Sequence, residues 1–179
     1  MNYKVIYADP PWNYTATSNK IPSRKKDGQS YNAMRMIDIY DFDIPKTDKD
    51  AVLFMWATAP LLPEALYTIK SWGFEFKTVA FTWIKKNKKA TDTNFWGMGS
   101  WTRSNPEYCL LATKGSPKAV SHSVHSVIET PIQEHSKKPD IVRDKIIELC
   151  GDVKRIELFA RGKYEGWDSE GNQLSEIKI

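Results

Sequence analysis

Short apolar stretches alternate along this chain with stretches of helical periodicity. Residues 4–8, 51–57, 76–84, 107–112 and 155–159 are rich in Val, Ile, Phe or Tyr, and each is predicted to be a strand. Most are continuous apolar runs without polar alternation, as expected of a sheet covered on both faces. Between them Leu62, Leu66 and Ile69 recur at helical spacing, with Pro63 in the first turn and Gly73 as a stop. Val142, Ile146, Leu149 and Cys150 do the same between Pro139 and Gly151, and a weaker helical pattern spans about residues 32–40. Strands and helices in this alternation give a three-layer α/β sheet. No linker or internal repeat divides it, so residues 1–179 are read as a single domain.

Composition narrows the class. The longest apolar run, from Ala51 to Ala57, is seven residues and far too short to span a bilayer. The amino-terminal residues pass directly into a strand pattern with no signal-like segment, which points to the cytoplasm. Cys109 and Cys150 fall inside predicted elements without partner spacing, and are read as reduced core thiols. His122, His125 and His135 lack the companion ligands of a metal motif, so no metal is expected. Net charge is +4, and its distribution is more telling than its size. Lys20, Arg24, Lys25 and Lys26 form one basic loop, and Lys85, Lys86, Lys88 and Lys89 form a second after a strand. A solvated lysine cluster explains either run alone, whereas two of them together favour a polyanionic partner.

The nucleotide-binding glycine loop of a dinucleotide fold is missing after the first strand. Gly97-Met98-Gly99, between Trp96 and Trp101, is too short to replace it and reads as a mobile loop. What does follow the first strand is Asp9-Pro10-Pro11-Trp12. Two prolines fix successive φ angles and keep the preceding residue out of the helical region, so the strand ends with Asp9 presented at its carboxyl edge. Open α/β sheets bind ligands at that edge. A carboxylate, a rigid wall and an aromatic face suit a planar heterocycle with an amino group, adenine above all. The plainer alternative makes Asp9 a turn former and Trp12 a core anchor.

Further motifs follow in order: Leu53-Phe54-Met55-Trp56, Glu107-Tyr108-Cys109-Leu110-Leu111, His135-Ser136-Lys137-Lys138-Pro139, Glu157-Leu158-Phe159-Ala160-Arg161 and Gly171-Asn172-Gln173. Together with the first, they make the chain resemble the DPPW-type adenine-N6 methyltransferases, the family whose eukaryotic members modify messenger RNA. The resemblance covers nearly the whole chain, and the short form looks most like the bacterial and phage branch. It implies a Rossmann-like methyltransferase sheet in permuted order, catalytic motif first and cofactor motif last, with S-adenosylmethionine as methyl donor. It assigns Asp9, Pro10, Pro11 and Trp12 to catalysis. Asp9, Lys138, Arg161, Asn172 and Gln173 would hold the donor, with Lys138 on its methionine carboxylate and Arg161, Asn172 and Gln173 on its adenosine. Tyr31 matches an aromatic in the loop after the catalytic motif. The acidic cofactor contact that relatives often carry upstream has no counterpart here, and backbone groups at residues 133–136 are one substitute.

The chemistry expected is methyl transfer to the N6 amine of adenine in DNA. RNA is the nearest alternative, and a catalytically silent nucleic-acid-binding subunit is the rival of a different class. Trp12 would stack on the target base. Tyr31, Lys25, Lys26, Lys86, Trp101 and Arg103 are the candidate nucleic-acid contacts, Trp101 and Arg103 by stacking and charge. No large segment remains for a separate recognition domain, so sequence preference is expected to be short or supplied by a partner subunit in a homo- or heterodimer.

Overall fold

The computed structural model describes residues 2–13, 33–99, 101–134 and 136–171. In chain order these give β1 (Tyr3–Ala8), α1 (Met36–Tyr40), β2 (Thr47–Ala57), α2 (Leu62–Ser71), β3 (Glu75–Lys86), β4 (Glu107–Lys114), β5 (Val127–Pro131), α3 (Ile141–Cys150), β6 (Arg155–Leu158) and β7 (Asp168–Glu170). The strands form one seven-stranded sheet in the order β5-β3-β4-β2-β1-β6-β7. β1 runs parallel to both β2 and β6, whereas β4 runs antiparallel to β2 and β3.

Side chains of the central strands alternate between two cores, as the period of a pleated strand requires. Ile6, Ala8, Leu53 and Met55 face Ile39, Ala65, Ile69 and Trp72 of the α1–α2 side. Val5, Tyr7, Phe54 and Trp56 face Val142 and Ile146 of α3 on the other. Both sides are therefore covered, and the three-layer α/β reading holds. α2 stops where Gly73 adopts φ 78°, letting the Gly73 and Phe74 N–H groups bond back to the Lys70 and Ile69 carbonyls. That closure satisfies carbonyls which the last turn leaves open. No helix among the described residues is long and apolar enough to cross a membrane.

The five expected strands are present, and the differences lie at edges. β5 and β7 carry no continuous apolar run: in β5 only Ile128 is buried, and β7 is Asp-Ser-Glu. Such strands are specified by the neighbour they pair with. The helix expected over residues 32–40 is confined to Met36–Tyr40. Glu75 to Val79 of β3 are exposed rather than covered, and β5 pairs with β3 only from Thr82 onward. Lys77 and Glu75 form an ion pair there, an arrangement that discourages edge pairing. Lys85 and Lys86, expected in a loop, instead end β3.

β6 brings two charged side chains, Arg155 and Glu157, into the α3-side core. Arg143 of α3 meets Glu157 through two hydrogen bonds of 2.7 and 2.8 Å, and its guanidinium stacks 3.4 Å from the Tyr164 ring centroid. With side chains only 9% and 7% exposed, neither charge has water to fall back on. Replacing Arg143 by Met is therefore expected to destabilise the fold by about 3–5 kcal/mol, the scale of leaving one buried charge without its partner. Urea unfolding of Arg143→Met, and of Arg143→Met with Glu157→Gln, checks this: the double variant should recover much of the loss.

Candidate active site

Three chain segments converge at the carboxyl edge of the central strands. Ala8 pairs with Met55 on one side and Leu158 on the other, so the chain's path divides at β1. Open α/β sheets bind ligands at the strand ends beside such a division. Asp9 is the next residue, and the Trp12 N–H bonds to the Pro10 carbonyl at 2.8 Å to close a tight turn. Because β4 runs antiparallel, its first residue, Glu107, arrives at the same edge. Lys138 enters from the segment that leads into α3.

The Lys138 ammonium lies 2.9 Å from both Asp9 carboxylate oxygens, 3.3 Å from Glu107 Oε2 and 3.2 Å from the Ser136 carbonyl. An ammonium has three protons, and these partners engage them all. Ser136 holds φ at 60°, uncommon for a residue with a side chain, where its carbonyl accepts from Lys138. Lys138 also lies 5.7 Å from the Trp56 ring centroid, and Trp56 donates its indole N–H to the Tyr7 hydroxyl at 2.7 Å. The second Glu107 oxygen accepts from Lys85 at 2.5 Å. The Lys85 N–H donates to Asn105 Oδ1, and the Asn105 amide donates to the Lys85 and Phe95 carbonyls.

The electrostatics of the cluster follow from burial. Side-chain exposure is 15% at Asp9, 11% at Glu107 and 8% at Lys138. Burial raises the Asp9 carboxyl above its ordinary range, and Lys138 offsets only part of that rise. Glu107 feels burial too, but Lys138 and Lys85 together hold it below its ordinary value. Burial disfavours the Lys138 cation, yet the two carboxylates overcome this and keep it protonated. The buried Cys109 thiol is pushed well up, and Cys150 is raised to about 11, so both stay protonated at neutral pH.

The expected site residues fare unequally. Asp9 and Lys138 meet directly, though Lys138 holds Asp9 and Glu107 rather than standing open toward a cofactor carboxylate. Trp12 is 4% exposed, packed in the α1–α2 core, with its indole N–H on the Trp56 carbonyl at 2.9 Å. The face expected to stack on a base is thus buried, and the core-anchor alternative describes Trp12. Pro10 is buried beside it and Pro11 is partly exposed. Arg161 follows β6 at the same edge, half-buried, and its charge acts on Asp9. Lys86 is paired with Glu129 at 3.1 Å. Trp101 is 99% exposed and Arg103 is exposed, both in the connection that leaves β3 and enters β4 at this edge. Lys25, Lys26, Tyr31, His135, Asn172 and Gln173 lie outside the described residues. Glu107 and Asn105 were given no role in the sequence analysis, and Lys85, read there as part of a basic loop facing a polyanion, instead pairs with Glu107. The available signal was an acidic residue opening one strand just as Asp9 closes another.

The MT-A70 family model matches residues 3–173. The chain is 32% identical to the type II methyltransferase M.MunI of a Mycoplasma species, over 99% of this chain and 80% of that protein. It is 27% identical to the human N(6)-adenosine-methyltransferase catalytic subunit METTL3, over 99% of this chain and 29% of that protein. Against the Arabidopsis thaliana N(6)-adenosine-methyltransferase MT-A70-like protein identity is 26%, covering 24% of that protein. The chain therefore spans most of the Mycoplasma relative and about a quarter of the plant and animal ones.

The two carboxylates are expected to titrate in opposite directions from their ordinary values, Asp9 above and Glu107 below. By linkage, the Glu107 contribution to stability is complete above its unfolded value and is lost as pH falls through its folded one. Asp9 works the other way: the fold loses stability as pH rises through the Asp9 folded value. Carbon-detected NMR titration of the two carboxyl carbons checks both signs.

Proposed function

Because the chain belongs to the MT-A70 family, we propose that it transfers the methyl group of S-adenosylmethionine to the exocyclic N6 amine of adenine in DNA. The observation that carries this reading is Asp9: a half-buried carboxylate at the sheet's carboxyl edge, fixed at 2.9 Å by Lys138. The amine of adenine is a weak nucleophile, because its lone pair is delocalised into the ring. Asp9 accepts one amine proton in a hydrogen bond, and the Pro10 carbonyl, which has a second lone pair beyond the one Trp12 uses, accepts the other. Two acceptors favour a pyramidal nitrogen whose lone pair is free for attack. Orientation of the amine then supplies much of the rate. A proton shed by the amine after transfer passes to Asp9, whose raised carboxyl suits a base.

The residues present fit the methyl donor in one respect the geometry supports. Asp9 and Arg161 stand at neighbouring strand ends close enough to interact, and an acid with a base suits a zwitterionic head and ribose hydroxyls. When bound, S-adenosylmethionine supplies an electrophilic methyl on sulfonium. Arg161, Asn172 and Gln173 would hold its adenosine and Asp9 would border its head, with Lys138 reaching the methionine carboxylate only by releasing one present partner. Gly171 leads into that pair of polar residues, and a side chain there would overlap the Ala160 backbone beside Arg161. Trp12 supports the loop from within by fixing the Trp56 carbonyl.

Trp101 and Arg103 are proposed to hold flanking nucleotides, together with Lys25, Lys26 and Tyr31. Lys86 joins them only by leaving Glu129. DNA is the first reading, supported by the 32% identity to the type II methyltransferase M.MunI over four-fifths of that protein. RNA is the second reading, favoured by the similarity to N(6)-adenosine-methyltransferases.

Labelled methyl donor with matched DNA and RNA oligonucleotides tests the proposal: N6-methyladenine in DNA is the expected product, greater incorporation into RNA selects the second reading, and none in either rejects both. Asp9→Ala is expected to lower turnover by about 100-fold or more, the scale of losing a hydrogen bond made in the transition state. Donor affinity, measured by calorimetry, should fall far less than turnover in that variant, because Asp9 is one of several residues proposed to hold the donor.

A further inference from the structure

The proposed reaction gives Lys85 no part, yet it is held as tightly as any charged residue at the site. Its main chain exchanges two hydrogen bonds with the Asn105 side chain, at 3.0 and 2.9 Å. Its ammonium lies 5.4 Å from the Trp83 ring centroid and bonds to Glu107 Oε1 at 2.5 Å. Lys77 on the same strand offers a contrast: its partner Glu75 is 78% exposed, and that pair is an ordinary surface one.

We propose that Lys85 is a positioning residue for Asp9, acting through Glu107 and Lys138. The four groups alternate in sign along a chain of contacts: Lys85 to Glu107, Glu107 to Lys138, Lys138 to Asp9. The formal charges of these four sum to zero, and Arg161 acts on Asp9 from outside the set. Without Lys85, the Asp9 and Glu107 carboxylates share one ammonium, and the four-group set carries a net negative charge. Glu107 then draws Lys138 toward itself, and Asp9 loses the contact that sets its orientation. The charged partner of Lys85 is Glu107 and not Asp9, so the proposed effect on Asp9 passes along this relay of ion pairs. The kinetic form of the proposal rests on the methyl-transfer reading; its structural form does not.

Two measurements test it. With the full chain, Lys85→Met is expected to lower kcat about tenfold or more while KM for the methyl donor stays nearly unchanged, the pattern of a lost transition-state contact. Lys85→Arg, which keeps the charge, should retain most of the rate, and Lys77→Met should be indistinguishable from the parent. A Lys85→Met variant with parental kcat, or a loss that Lys85→Arg does not rescue, overturns the proposal. The second measurement is a thermal double-mutant cycle between Lys85→Met and Asp9→Asn. Each single change leaves the set charged and the double change leaves it neutral, so the double variant should melt about 2–4 °C higher than the sum of the single effects predicts. Strict additivity overturns the relay. Should Lys85→Met alone fail to fold, Asp9→Asn in the same chain is expected to restore folding, and failure to do so rejects the idea equally. The cycle needs no activity, so absent methyl transfer in the parent chain would refute the reaction and leave this inference standing or falling on its own.

Discussion

Bringing two carboxylates together at a sparsely hydrated sheet edge is unfavourable unless a cation is buried with them, and Lys138 is that cation. Much of the local architecture follows from this requirement. β4 must run antiparallel so that its first residue, Glu107, reaches the edge where β1 ends. The chain before α3 must turn sharply enough for Ser136 to adopt φ 60° and offer its carbonyl to the same ammonium. The strain of that turn is compensated by the bonds it allows. Strand direction, loop conformation and protonation state are therefore facets of one electrostatic problem.

The sequence made the apolar part of this solution legible and left the polar part hidden. Val5 to Ala8 and Ala51 to Ala57 announce central strands because burial on both faces demands unbroken apolar runs. Pro10 and Pro11 announce where the first of them stops. β5 and β7 could not be read in the same way, since Val127–Pro131 and Asp168–Glu170 are strands by virtue of the neighbours that pair with them. The role of Glu107 was hidden for a related reason. It depends on the order and direction of strands, and residues 9 and 107 carry no local mark of being in contact. Lys85 and Lys86 were misplaced because a run of lysines looks solvated, whereas each of these two has a carboxylate partner.

The tryptophans show how little residue type alone decides. Trp12, Trp56, Trp72 and Trp83 are buried, and each places its indole N–H on an oxygen: the Trp56 carbonyl, the Tyr7 hydroxyl, and the carbonyls of Ile39 and Thr130. A buried indole usually finds such an acceptor, and Trp167 is the exception among the described residues, buried with no partner for its N–H. Trp96 and Trp101 are exposed, in the connection between β3 and β4. An aromatic next to a catalytic motif is thus no guide to which face meets substrate. For Trp12, proximity in sequence to Asp9 reflects support of the loop from beneath.

Asn105 bonds to the carbonyls of both Lys85 and Phe95, and the Gly97 N–H bonds to the Ser104 carbonyl across the same connection. The two ends of the exposed loop are thereby stapled together before the chain reaches Glu107. Residues between the staple points can lengthen, shorten or change character at an entropic cost that grows only slowly with loop size. Evolution could therefore rewrite what this loop touches while the charge cluster behind it stays fixed, a division of labour between a variable fingertip and a constant wrist.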